Sequence, residues 1–179
     1  SLGLVGSEMC IRDSHYGSDS MLTNEVKDLI YSYIPIQLNE NTTIVAQATS
    51  QSSEEFQTYA NIMLNAGVDP NSPYSAISFD TMMLAALALQ HQAHNNIAKE
   101  DLSKSLVSVA NPPGIKMGPG SWEAARALLV RGVEINYEGV SGSLDFDING
   151  DVEGMYSLNQ VTEDNLWAVE RLEKLHPFE

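Results

Sequence analysis

The chain has few positively charged residues, one cysteine and no long apolar run. Its 179 residues include 9 lysines and arginines against 24 acidic residues, for a formal net charge of −15. Such an excess of carboxylates repels phosphate backbones and anionic lipid headgroups, so nucleic acids and membrane surfaces are disfavoured as partners. The longest apolar stretch, Met82 to Leu89, is far shorter than the roughly eighteen residues of a membrane helix. We therefore expect no direct membrane insertion.

The single cysteine, Cys10, lies in a terminal tract that we interpret as foreign to the protein. Residues 4–14 resemble one reading frame of a transposon-type sequencing-library adaptor, and such segments are set aside before a fold is interpreted. We assign residues 1–14 to a non-native adaptor scar and expect them to lack stable packing; the rival interpretation is a short native strand. Without Cys10, the chain has no disulfide or thiol chemistry, which is compatible with the periplasm without establishing it.

Hydrophobic periodicity and helix-end signals predict helices that alternate with strands, which is typical of an α/β fold. The predicted helices cover residues 23–33, 54–65, 78–93 and 101–109, and a last one runs from the N-cap Ser121 to Gly132. The β-branched run at residues 42–48 predicts a strand. Helix 78–93 is apolar almost all round, so we expect it to be the central buried helix.

After Gly132 the apolar period changes from that of a helix to that of a strand. Val133, Ile135 and Tyr137 alternate with polar residues, and a second alternating run covers residues 144–148. Asn149-Gly150 supplies the backbone freedom of a tight turn, so the pattern predicts a β-hairpin.

Three stretches carry a family resemblance. They are residues 109–114, with the Pro112-Pro113 pair, then Gly118-Pro119-Gly120-Ser121-Trp122, and then residues 141–152. Together they resemble the carboxy-terminal part of the type I periplasmic solute-binding proteins, the leucine/isoleucine/valine-binding family that serves ABC transporters. The resemblance implies part of a two-lobed fold, with Rossmann-like α/β lobes joined by a hinge and the chain truncated at its N-terminus.

The resemblance also implies a division of the chain and a function. Residues 15–50 would end lobe 2, 51–132 would be a returning segment of lobe 1, 133–161 a C-terminal hairpin at the hinge or lobe 2, and 162–179 a tail helix. The implied function is capture of an amino acid or related small solute between two closing lobes, for an ABC permease, in the periplasm or another extracytoplasmic space. A ligand-sensing receptor or regulatory module of the same fold is the alternative. Neither function needs a cofactor or catalysis.

Two residues match positions that contact the ligand in the family. In members that bind amino acids, a carboxylate after a Gly-x pair receives the α-ammonium, and Gly17-Ser18-Asp19 resembles that place. An aromatic residue after the Asp-Pro loop lines the cleft, and Tyr74 occupies the corresponding position. The competing interpretations are an ordinary turn residue for Asp19 and a loop aromatic packed on the core for Tyr74. Where the family often has Tyr-Asp, this chain has Phe79-Asp80, and Asp80 is interpreted as a first-turn carboxylate that complements the helix dipole.

Three other patterns suggest different chemistry and are weaker. Residues 145–151 resemble the first half of an EF-hand loop, but Tyr156 stands where a bidentate glutamate is needed. His91 and His94 have the spacing of paired zinc ligands, although a polar helix end explains them equally well. Serines, histidines and aspartates are present, but no Gly-x-Ser-x-Gly elbow accompanies them, so we expect neither a metal site nor a hydrolase.

Overall fold

The computed structural model describes residues 15–33, 42–71 and 74–175, with side chains described as far as residue 169. The adaptor-scar interpretation of residues 1–14 lies outside these ranges. The described chain forms two compact units, each considered by itself. Unit 1 contains the residues up to Ala48 together with Met155–Lys174, and unit 2 contains Thr49–Gly154. Both units combine helices with strands, and the predicted α/β class is confirmed.

Along the described residues the elements are β1 (His15–Gly17), α1 (Asn24–Tyr33), β2 (Thr42–Gln47), α2 (Glu54–Asn65), α3 (Ser75–His94), α4 (Leu102–Ala110), β3 (Ile115–Met117), α5 (Trp122–Val130), β4 (Ile135–Gly139), β5 (Gly142–Ser143), β6 (Gly154–Val161) and β7 (Trp167–Leu175). Short 3-10 helices cover Asp19–Met21 and Lys99–Asp101.

Unit 1 is built on a mixed sheet with the strand order β1-β2-β6-β7. Strand β1 runs parallel to β2, with Gly17 opposite Ile44, and β2 runs antiparallel to β6. Ile44 is fully buried, and Asn159 of β6 is buried beside it, where its amide donates a hydrogen bond to the Ile44 carbonyl at 3.1 Å. The centre of this sheet is therefore held by side-chain as well as backbone hydrogen bonds.

Unit 2 packs helices α3, α4 and α5 against strand β4. Its main core consists of the buried residues Leu84, Leu87, Ala88, Val109, Ala110, Ala125, Leu129, Ile135 and Tyr137. A second cluster joins α2 to the start of α3 and to the turn after β4; its buried members are Phe56, Tyr59, Ala76 and Val140. Strand β4 lies between β3, to which it is parallel, and the short antiparallel β5.

Local signals explain why several helix bounds match the sequence prediction. The Ser53 hydroxyl accepts a hydrogen bond from the Phe56 N–H at 3.0 Å, which caps α2 at its first turn. Beyond α2 and α5, Gly67 and Gly132 have φ angles of 74° and 73°, the left-handed conformation that ends helices. Helix α3 begins three residues earlier than predicted, since the Tyr74 carbonyl already accepts the Ser78 N–H at 2.9 Å.

Helix α3 differs from its prediction in burial as well. Leu84, Leu87 and Ala88 are buried, but Met82 and Leu89 are 72% and 53% exposed. The prediction that α3 is the central buried helix therefore holds for one face, which packs in the core, and fails for the face that carries Met82 and Leu89.

The predicted hairpin around Asn149-Gly150 is not formed. Residues 144–153 contain no strand, and Ile148, expected to point inward, is fully exposed. Strand β4 instead turns at Val140-Ser141 to pair with β5, with Gly139 opposite Gly142. The turn at Asn149-Gly150 is closed locally, since the Asp147 N–H donates to the Asp151 carbonyl at 2.8 Å.

The C-terminal segment also departs from the prediction. The expected tail helix is wrong over Trp167–Leu175, which forms β7 next to β6, because pairing with β6 gives the backbone its hydrogen-bond partners. Residues 133–154, expected to group with the C-terminal hairpin, belong to unit 2, where Ile135 and Tyr137 enter the core.

Candidate functional site

Asp19 lies just after the carboxyl end of strand β1 in unit 1. Because β1 and β2 are parallel, their carboxyl ends meet at one edge of the sheet, the edge where α/β proteins usually bind ligands. Asp19 begins the 3-10 helix and is half-buried, and its Oδ1 accepts a hydrogen bond from the Ser20 N–H at 2.7 Å. A carboxylate has acceptor sites on both oxygens, so this single bond leaves Asp19 with capacity for a cation.

Gly17 explains how the backbone reaches this position. A Cβ atom there would lie 2.5 Å from Ile44 Cδ1 and 2.6 Å from the Met21 sulfur. Glycine leaves this space free as the chain turns into the 3-10 helix, whereas a larger residue would have to displace the side-chain ends of Ile44 and Met21. The Gly-x-Asp spacing that identified Asp19 therefore has a packing reason in this unit.

Tyr74 lies in unit 2, at the residue before helix α3. Its φ angle is 62°, which is unusual for a residue with a side chain, and the residue is 51% exposed. About half of Tyr74 is therefore accessible, and its role in ligand binding stays a prediction beside that of a loop aromatic packed on the core. Since Asp19 and Tyr74 belong to different units, each is placed only within its own unit.

Asp80 has a role that the sequence did not indicate. It lies in the second turn of α3 rather than the first, so the helix-dipole interpretation is wrong, and it is 2% exposed. Its Oδ1 accepts from Tyr137 Oη at 3.1 Å and the Val140 N–H at 2.9 Å. Its Oδ2 accepts from the Ser141 N–H at 2.7 Å and Ser141 Oγ at 2.6 Å. We call this set of residues the Asp80 clamp: one buried carboxylate holds the turn between β4 and β5 against α3.

The Asp80 clamp affects two neighbouring residues, Tyr137 and Gly139. Burial, followed by the charge of Asp80 and the hydrogen bond to it, raises the pKa of Tyr137 well above its ordinary value. Gly139 has no room for a side chain, since a Cβ would lie 2.6 Å from Asp80 Oδ2. A lone carboxylate in an apolar helix, followed far along the chain by Gly-x-Ser-Gly, was the only sequence signal for this arrangement.

His91 bridges two helices of unit 2. Its Nδ1 lies 3.2 Å from Ser105 Oγ and its Nε2 lies 3.2 Å from Ser108 Oγ, so both ring nitrogens face hydroxyls of α4. Burial, and then the neighbouring His94, lower the pKa of His91, which favours the neutral ring. In the part of the chain that the structure describes, no three histidine, cysteine or acidic residues are grouped to hold a metal ion.

The acidic loop at residues 145–151 is a hydrogen-bonded turn. Asp147 Oδ1 accepts from the N–H groups of Asn149 and Asp151, at 2.8 and 2.9 Å. The backbone N–H of Asp151 is the largest cause that lowers the pKa of Asp147. The Asp147 carboxylate therefore serves as the acceptor for this turn.

Comparison with known proteins agrees with the architecture of the two units. A family model described as the receptor family ligand binding region matches residues 10–164. The curated proteins and the solved structures contain no match to the chain. Among the described residues, no helix is long and apolar enough to cross a membrane. The matched range covers most of the chain, and the chain therefore belongs to the receptor family ligand binding region, a ligand-binding family with the type I periplasmic-binding-protein fold.

Proposed function

We propose that the chain is part of the substrate-binding component of an ABC transporter, which captures an amino acid or a related small solute as two lobes close. The observation that carries the proposal lies where unit 1 gives way to unit 2. Unit 1 is made of two separate chain segments, and the Ala48 N–H, at the end of the first, donates to the carbonyl of Met155, at the start of the second, at 2.9 Å.

The passages of the chain at Ala48 and at Met155 therefore leave unit 1 as hydrogen-bonded neighbours, from the paired strands β2 and β6. Two adjacent connections allow a hinge in which a few residues absorb the change in backbone angles while each unit keeps its own core. The polar segment Thr49–Ser53 is the first of these connections. This arrangement supports capture of a ligand by closure of two lobes, a function that is consistent with membership of a ligand-binding family.

In this proposal Asp19 receives the α-ammonium group of the ligand. A half-buried carboxylate at the carboxyl edge of a sheet, with one local hydrogen bond, can pair a cation through charge-assisted hydrogen bonds. Tyr74 covers the apolar part of the ligand, for which its exposed ring offers a large, rigid surface. The partner would be an ABC permease, and the location the periplasm or another extracytoplasmic space.

A second candidate is a ligand-sensing receptor or regulatory module, since the matched family is described by its receptors. A sensing module would differ from a transport component in the protein that binds its closed state, and not in the ligand site. A neighbouring gene for a permease, together with ligand uptake that depends on this protein, would favour transport. A neighbouring kinase or regulator would favour sensing.

Calorimetry tests the ligand site in the protein that carries the upstream lobe implied by the resemblance. With a panel of branched-chain and other amino acids, Asp19→Ala should weaken binding by about 2–5 kcal/mol, because it leaves a buried ammonium unpaired. Glu25→Ala is the matched control, since Glu25 is an exposed carboxylate in helix α1 of the same unit. Unchanged affinity in Asp19→Ala would remove Asp19 from the site.

A further inference from the structure

Tyr59 of helix α2 carries a buried hydroxyl that reaches out of its own helix. Its ring is fully buried between Phe56 and Phe79, with ring centroids 5.8 and 5.2 Å away. Its hydroxyl lies 2.6 Å from Ser75 Oγ and 3.3 Å from the Pro70 carbonyl oxygen. Burying a hydroxyl in an aromatic cluster costs desolvation free energy unless the hydroxyl forms hydrogen bonds. Its hydrogen-bond partners therefore indicate what the hydroxyl holds in place.

Ser75 closes this network. Its hydroxyl lies 3.1 Å from the same Pro70 carbonyl, so two hydroxyls and one carbonyl form a triangle. If Tyr59 donates to Ser75, Ser75 donates to Pro70; if Ser75 donates to Tyr59, Tyr59 donates to Pro70. Both arrangements use each hydroxyl proton, and Ser75, the residue directly after Tyr74, is tied to Tyr59 and to the Pro70 carbonyl.

Tyr74 lies directly before Ser75, and its backbone adopts a conformation that a side chain disfavours. Its φ of 62° is left-handed, a conformation that costs free energy in a residue other than glycine because Cβ approaches the backbone. Such a conformation persists only where the surroundings enforce it. On the helix side, the Tyr74 carbonyl accepts the Ser78 N–H at 2.9 Å, which starts helix α3.

We propose that Tyr59 is a positioning residue for the ligand site: through Ser75 and Pro70 its hydroxyl holds Tyr74 in the left-handed conformation that presents the ring. The inference rests on the proposed function for the role of Tyr74 in binding, but the positioning itself can be measured without ligand. Tyr59 would touch no ligand. Its hydroxyl fixes the direction of a side chain that does.

Tyr59→Phe tests the proposal in the full-length protein, because it keeps the aromatic packing and removes only the hydroxyl. We expect amino acid affinity, measured by calorimetry, to fall about tenfold. Ser75→Ala should give a similar loss, and the two together should lose little more than either alone, since both break the same network. Tyr137→Phe is the matched control: it also removes a buried tyrosine hydroxyl in unit 2, but one that binds Asp80, and it should leave affinity unchanged.

A double-mutant cycle separates positioning from general destabilisation. In a Tyr74→Ala background, Tyr59→Phe should have no further effect on affinity, because the side chain it positions is gone. An equal loss in both backgrounds overturns the proposal. So does a loss in Tyr137→Phe as large as that in Tyr59→Phe.

A measurement without ligand distinguishes the positioning role of Tyr59 from the proposed role of Tyr74 in ligand binding. With 3-fluorotyrosine incorporated and the Tyr74 fluorine resonance identified through Tyr74→Phe, Tyr59→Phe should shift or broaden that resonance and Tyr137→Phe should not. An unchanged Tyr74 resonance overturns the positioning role. If Tyr74→Ala binds amino acid as tightly as the unaltered protein, the assignment of Tyr74 to the ligand site is overturned, and the resonance alone decides whether Tyr59 fixes its backbone.

Discussion

Replacement of Asp80 by asparagine is the sharpest test of how unit 2 is held together. The two side chains have nearly the same shape, but asparagine offers one acceptor atom where the carboxylate offers two. Asp80 receives two backbone N–H groups on different oxygens, Val140 on Oδ1 and Ser141 on Oδ2. Whichever way the amide is oriented, its NH₂ faces one of these backbone donors, and a buried N–H loses its partner.

The expected cost follows from these contacts. The hydroxyls of Tyr137 and Ser141 can rotate to accept from the new amide, so they keep a partner. The orphaned backbone N–H costs about 1–3 kcal/mol, and the remaining hydrogen bonds lose the strength that the negative charge gave them. Burying a neutral amide is easier than burying a carboxylate, which offsets part of this loss. We expect Asp80→Asn to lower the free energy of unfolding by about 2–4 kcal/mol, and Asp80→Ala to lower it by at least as much.

Urea unfolding followed by circular dichroism measures the loss, and hydrogen exchange at the Val140 and Ser141 amides locates it. Asp145→Asn is the control, since it makes the same change of charge at an exposed residue of the same unit and should alter stability by less than about 0.5 kcal/mol. Gly139→Ala should disturb the same contact, because the added Cβ would clash with Asp80 Oδ2. Its effect should combine less than additively with Asp80→Asn.

The reasoning about the Asp80 clamp would be refuted by an Asp80→Asn variant as stable as Asp145→Asn. Full protection of both the Val140 and Ser141 amides in that variant would refute it as well. Either result would mean that the turn after β4 is held by packing and not by the carboxylate.

Three further predictions concern pH and close packing. Because burial and a nearby carboxylate raise the pKa of Tyr137, the folded chain releases this proton less readily than the unfolded chain. The free energy of unfolding should therefore fall as the pH rises above about 10. Tyr137→Phe should reduce this pH dependence in urea titrations, and an unchanged pH dependence would count against the prediction. Because burial and a second histidine lower the pKa of His91, stability should fall as the pH drops below 6.5, and His91→Gln should reduce that loss; a variant that keeps the full loss would rule out this cause. Gly17→Ala should destabilise unit 1 by about 1–3 kcal/mol through its clash with Ile44, whereas Gly118→Ala, whose Cβ would meet its nearest atom at 3.9 Å, should be nearly neutral by thermal unfolding.

The sequence alone predicted the features whose causes are local. Helix α2 begins at its Ser53 cap and ends before Gly67, and α5 ends before Gly132, because capping and left-handed glycines act within a few residues of where they stand. Family resemblance then identified the ligand-binding class and singled out Asp19 and Tyr74. Their part in ligand binding stays a prediction.

Contacts between distant residues decided the rest. The segment Trp167–Leu175 became a strand because β6 was available to pair with it, and a short amphipathic segment does not distinguish the two structures by itself. The turn at residues 147–151 is a local exception, since it closed on the Asp147 side chain two to four residues away and did not extend into strands.

Asp80 makes the same point at the level of one side chain. Its partners lie 57 to 61 residues further along the chain, so no local pattern could show that a carboxylate in an apolar helix would bind the turn after β4. The chain by itself determined where α2 starts and where α2 and α5 stop, because the free energies of those caps are local. Tertiary structure alone decided which buried polar groups meet, because each must find its hydrogen-bond partner in whatever the fold brings beside it.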